Sequence, residues 1–139
     1  MRILKTTQSG FAGFFKDEYT SLPDAYDRVL STVAYVKWLY IDTAEDYDET
    51  WESVKNVTLE VFSGPAETGE FTESVQRTAY KTAEKILKEF PGIHRAEIAM
   101  PNVHYFSANL GKIGIENNNE VFAPADDPHG NIRVALRRT

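Results

Sequence analysis

Two periodicities divide the chain. From Tyr47 to Phe90 apolar residues recur every three or four positions, whereas on either side they alternate or run together. Tyr47, Trp51, Val54, Val57 with Thr58, and Val61 make one stripe, with Asp, Glu and Lys between them: an amphipathic helix stopped by Gly64-Pro65. A second stripe, Val75, Ala79, Ala83, Ile86 and Phe90, is backed by Lys81, Glu84, Lys85 and Lys88, and Pro91-Gly92 ends it. Neither stripe is stable in water, so both helices should lie on a sheet.

The flanks supply that sheet. Residues 2–15 mix β-branched and aromatic residues with Gly10 and Gly13 and read as a strand with a bend or bulge. A turn-rich polar stretch, 16–27, follows. Residues 29–41 are apolar on both parities and rich in Val, Tyr, Trp and Thr, as in a strand buried on both faces. Residues 94–100 place Ala96, Ile98 and Met100 on one face; 103–110 continue after the break at Pro101-Asn102. Residues 131–137 turn Ile132, Val134 and Leu136 inward. The order is β-β-α-α-β-β, with room for one extra short strand. Two hairpins flanking a helical pair make an α+β fold, an antiparallel sheet with two helices on one face.

Composition narrows the chemistry. The 139 residues carry 15 Lys+Arg against 21 Asp+Glu, a net charge of −6, which argues against nucleic acid as a partner. With 42% hydrophobic and 26% charged residues, the chain reads as one ordinary globular domain over 1–139. Zero cysteines exclude disulfides, zinc–thiolate sites, iron–sulfur clusters and a Cys nucleophile. No apolar run approaches the ~20 residues of a membrane span. Met1-Arg2-Ile3-Leu4-Lys5 turns polar too early for a signal peptide.

His94, His104 and His129 lack metal-ligand spacing, so no metal is expected. Gly10-Phe11-Ala12-Gly13 is not a phosphate-binding loop, and no G-x-S-x-G points to a hydrolase. Arg28, Gln76, Asn102 and His104 remain as polar residues beside strand ends. Each also has an ordinary structural role open to it: a surface ion pair, a first-turn helix residue, a turn residue and a satisfied strand histidine.

Read as motifs, the same residues are more specific. Lys5 to Phe14 (KTTQSGFAGF), Asp17 to Pro23 (DEYTSLP) and Asp27 to Thr32 (DRVLST) are followed by Ser74-Val75-Gln76 and Pro101 to Phe106 (PNVHYF). Asn119 to Pro124 (NEVFAP) and Asp127-Pro128-His129-Gly130 complete the series. Together they resemble the second half of urate oxidase (uricase), and the likeness covers essentially the whole chain. It implies a tunnelling fold (T-fold), in which antiparallel sheets join around a barrel with helices outside. It also implies oxidation of urate by O₂ to 5-hydroxyisourate and hydrogen peroxide, with no metal or organic cofactor.

The resemblance assigns roles. Phe11 matches the aromatic residue that stacks on the purine, Arg28 the guanidinium that grips one edge, and Gln76 the amide that pairs with the other. Val75 resembles the position whose backbone N–H holds an exocyclic oxygen, and Leu22 and Ile132 match apolar walls. Asn102 corresponds to the amide that holds O₂ or water above the ring, and His104 to the histidine of the proton relay. Alternation about Val103 can set both polar tips on one face.

Uricases are about twice this length, and their first T-fold domain carries a Lys–Thr pair and an Asp for which nothing here matches. Lys5-Thr6-Thr7 belongs to the second-half pattern and does not replace that pair. The implied partner is therefore an N-terminal uricase half within a homo- or hetero-oligomer. The chain is a natural split subunit, a cut piece, or a half that assembles with itself. A non-catalytic purine-binding or structural T-fold subunit is the alternative function. A pterin-pathway T-fold enzyme is a third reading, disfavoured by the absent histidine spacing. The ending Arg137-Arg138-Thr139 is not a peroxisomal Ser-Lys-Leu address, so a cytoplasmic setting is expected.

Overall fold

The first strand, β1 (Arg2–Lys5), pairs antiparallel with β2 (Leu30–Val33), setting Arg2 opposite Val33 and Lys5 opposite Leu30. The computed structural model describes residues 1–41, 46–125 and 128–139. Alternation along β1 buries Ile3 and Lys5 and leaves Arg2 and Leu4 outside. Beyond Lys5 the expected strand over 2–15 does not continue. Gln8 adopts a left-handed φ of 53°, and only isolated bridges at Ser9 and Phe11 follow.

The expected strand over 29–41 is two strands, β2 and β3 (Tyr35–Tyr40). Between them Ala34 exchanges hydrogen bonds with Met1: its N–H donates to the Met1 carbonyl at 2.7 Å, and the terminal ammonium donates to the Ala34 carbonyl at 2.8 Å. Leu30, Ser31 and Thr32 are buried on both parities, as expected of this segment. In β3 the expectation fails, because Tyr35, Lys37 and Leu39 are exposed while Val36, Trp38 and Tyr40 are half-buried. Helices cover only one face of that part of the sheet.

β4 (Ile93–Pro101) lies between β3 and β7 (Asn131–Arg137), all antiparallel, with Val36, Ile98 and Val134 in one register row. Ala96, Ile98 and Met100 are fully buried, and Ile132, Val134 and Leu136 pack on them as the alternation requires. A third sheet joins β5 (His104–Ser107) to β6 (Phe122–Ala125), the extra short strand. The expected strand over 103–110 stops at Ser107, and a 3-10 turn follows at Leu110–Ile113. A bridge between Ser31 and Val103 connects this ladder to β2.

α1 (Tyr47–Ser63) starts where the Asp46 carboxylate accepts the N–H groups of Asp48 and Glu49, and it ends at Gly64. Val54, Val57, Thr58 and Phe62 are buried. Trp51, expected on the inner stripe, is 52% exposed, with the Lys55 ammonium 5.0 Å above its ring. Phe62, rather than Trp51, supplies the helix's large core side chain. α2 (Val75–Glu89) is capped by Ser74, whose hydroxyl accepts the Arg77 N–H. Its small residues Ala79 and Ala83 are fully buried and let the helix settle on β4 and β7, with α1 packed beside it. Burial of Ile86, Ile98 or Phe62 stabilises the fold by about 1.5–3 kcal/mol each. Among the described residues, no helix is long and apolar enough to cross a membrane.

Candidate functional site

Three chain segments meet where β1 ends. The stretch after Gln8 runs beside the residues that lead into α2: the Thr72 N–H donates to the Gln8 carbonyl and the Gly10 N–H to the Thr72 carbonyl, both at 2.8 Å. The Ala12 N–H adds a longer rung to the Glu73 carbonyl at 3.4 Å. Two residues past Glu73, Val75 opens α2, with Gln76 next to it. The rungs therefore hold Phe11 close to the start of α2. On its other side Phe11 forms a reciprocal backbone pair with Ala25, at 2.6 and 2.9 Å. This threading demands Gly10, since a Cβ there would sit 2.5 Å from the Ala25 carbonyl oxygen and 2.8 Å from the Phe71 ring.

Phe11 is half-buried, and one face of its ring stacks on Phe14 at 4.5 Å between centroids and 15° between planes. Val75 is buried and Gln76 exposed in the first helical turn. The first N–H groups of a helix have no intrahelical acceptor, so this end of α2 offers backbone donors for an oxygen of a ligand.

Arg28 joins this cluster to the sheet. Its backbone N–H donates to the Ser9 carbonyl at 2.9 Å. Its Nε donates to the Gly10 carbonyl at 2.7 Å, and its Nη1 to Asn102 Oδ1 at 3.4 Å. Nη2 is buried and has no hydrogen-bond partner among the described residues. Burial pulls the guanidinium below its usual range, yet it stays charged across the physiological span.

Asn102 lies between β4 and β5, and its backbone N–H donates to the Gly130 carbonyl at 2.8 Å. His104 opens β5, half-buried, with its ring 6.1 Å from that of Phe106. Burial lowers the His104 pKa, and the charges of Arg28 and His129 lower it further. Near neutral pH its imidazole is uncharged and able to accept a proton.

Phe11, Arg28, Val75, Gln76, Asn102 and His104 thus belong to one connected neighbourhood, although they come from four parts of the chain. Leu22 and Ile132 are less closely tied to it. Leu22 is 64% exposed on its loop, and Ile132 is half-buried against the core. Asp127 of the last motif lies outside the described residues. A groove of about 650 Å³ lined by Arg28 with Leu4, Thr7, Tyr105 and Phe122 among others includes none of the other five. Sequence reasoning gave no role to Thr72, took Phe14 only as part of the Lys5–Phe14 motif, and read Gly10 as a bend or bulge in a strand, not as a site of close backbone approach.

The Uricase family model matches residues 1–133. The chain is 42% identical to the uricase of Oryctolagus cuniculus and 44% identical to that of Danio rerio, in each case over 99% of its own length. The crystal structure of Arthrobacter globiformis uricase superposes with a TM-score of 0.85 at 33% identity and covers 99% of the chain. Urate oxidase from Bacillus sp. TB-90, at 23% identity and a TM-score of 0.75, shares the fold. The chain spans 46% of the length of the rabbit, zebrafish and Arthrobacter proteins. Its antiparallel sheets and paired helices are those of the T-fold, and the chain belongs to the uricase family.

Proposed function

We propose that this chain is the substrate-gripping, C-terminal half of a urate oxidase. With its other half, contributed by another chain or by a missing segment, it converts urate, O₂ and water to 5-hydroxyisourate and hydrogen peroxide. The observation that carries the reading is Arg28. Two guanidinium nitrogens are held by Gly10 and Asn102, and the third is buried with no acceptor among the described residues. An unsatisfied buried donor is costly, and a flat anionic purine whose entry uncovered it would satisfy it through a carbonyl oxygen or ring nitrogen.

The other groups follow from that anchor. Phe11 offers the purine a ring face, backed by Phe14. The Val75 N–H and the Gln76 amide address the opposite edge from the start of α2. Asn102 holds O₂ or water near the stacked ring, while the uncharged His104 takes up a proton and returns it to the developing peroxide. These residues need no cofactor for their roles. The test is anaerobic urate titration of the chain with its completing half. Arg28→Ala should abolish binding; unchanged affinity in that variant would sink the assignment.

A further inference from the structure

Lys5 is a buried cation that the roles above leave unused. Its side chain leaves β1 toward the helices, and its Nζ donates to three oxygens: the Phe62 carbonyl at 3.3 Å, Thr72 Oγ1 at 2.9 Å and the Glu70 carbonyl. Three N–H donors meet three acceptors, so every hydrogen of the ammonium is used. The Phe62 carbonyl belongs to the last turn of α1, which has no basic residue of its own. A cation from β1 therefore serves the negative end of that helix.

Glu70 and Thr72 lie in one strap, residues 64–74, which returns the chain from α1 to α2, and Phe62 stands just before it in the last turn of α1. The Glu70 N–H donates to the Ser63 carbonyl at 3.1 Å. The Gln8 side chain donates to the Thr68 carbonyl at 3.0 Å. A Cβ on Gly69 (φ +64°) would lie 2.4 Å from Gln8 Oε1, so strap and β1 exit are in close contact. From Thr72 onward the strap makes the rungs to Gln8, Gly10 and Ala12 and then becomes the cap and first turn of α2.

We infer that Lys5 is a positioning residue: by pinning the strap at Glu70 and Thr72 to the end of α1 at Phe62, it sets the spacing between Phe11 and Gln76, and so the width of the slot between ring face and amide. This rests on the urate-binding reading for its functional consequence, but not for the structural link itself. Methionine would fill the volume and donate nothing, leaving the Glu70 carbonyl without the ammonium and the Phe62 carbonyl with only the Thr72 hydroxyl at 3.4 Å.

Lys5→Met and Thr72→Val test the inference by amide hydrogen exchange on the chain and by urate KM and kcat with the completing half. Both variants should speed exchange at Gly10, Thr72 and Arg77 while leaving Ile98 and Val134 protected. They should raise the urate KM about tenfold or more with kcat changed less than KM. Adding Gln76→Ala to Lys5→Met should cost less than it does in the native chain. Uniformly faster exchange over both groups of amides, or independent effects of Lys5 and Gln76 on KM, would overturn the inference. Faster exchange confined to the strap with KM unmoved for Lys5→Met and Gln76→Ala alike would keep the structural link and sink the urate reading.

Discussion

Arg28 Nη1 donates to Asn102 Oδ1 at 3.4 Å, a hydrogen bond between residues 74 apart that ties the end of the first loop to the gap between β4 and β5. The amide oxygen is occupied by Arg28, so the Asn102 side chain is oriented, with its NH₂ directed elsewhere. In the proposed urate oxidase, binding of the purine and holding of the oxidant are thereby coupled through one guanidinium.

Lysine should not replace that guanidinium. A single ammonium cannot serve Gly10, Asn102 and a ligand in one plane. Arg28→Lys is expected to weaken urate binding by about 10- to 100-fold, the loss of one or two charge-assisted hydrogen bonds. Equilibrium titration beside the native chain checks this.

His104 should separate binding from chemistry. His104→Ala is expected to leave urate affinity close to native and to slow oxidation by about 100-fold or more. The pH profile carries the sign. Burial, then Arg28, then His129 lower the His104 pKa, so the proton-accepting form persists below the ordinary histidine range. The acid limb of kcat/KM therefore lies below about 6.5. Removing one lowering charge with His129→Gln should move that limb slightly upward; a downward shift would contradict the assignment.

Gly10 tests the threading. Gly10→Ala forces a Cβ against the Ala25 carbonyl and the Phe71 ring, and overpacking of this kind costs about 1–3 kcal/mol. The expected result is a lower melting temperature together with a raised urate KM, because the displaced backbone carries Phe11. Thermal unfolding and steady-state kinetics on one preparation measure both.

Much of this architecture was legible in the sequence, and its failures are local. Period 3.6 marked both helices, and strict alternation marked Ala96, Ile98 and Met100, because each pattern records a face turned to the same core. The division of 29–41 at Ala34 left no such mark, since it depends on Met1 reaching back to pair with Ala34. Trp51 was misassigned because its ring is large enough to lie over the surface with Lys55 above it. The site residues were visible only as motifs. Pattern physics cannot foresee Arg28 meeting Asn102 across 74 positions, nor Lys5 reaching Phe62 and Thr72.

The chain's share of a two-part oxidase is tested most directly by mixing it with a chain that supplies the first uricase half, then following urate absorbance and hydrogen peroxide together. Turnover in the mixture, absent from either component and lost with Arg28→Ala, is the predicted result. Urate binding without peroxide, alone and mixed, would contradict it and leave a purine-binding T-fold subunit in its place.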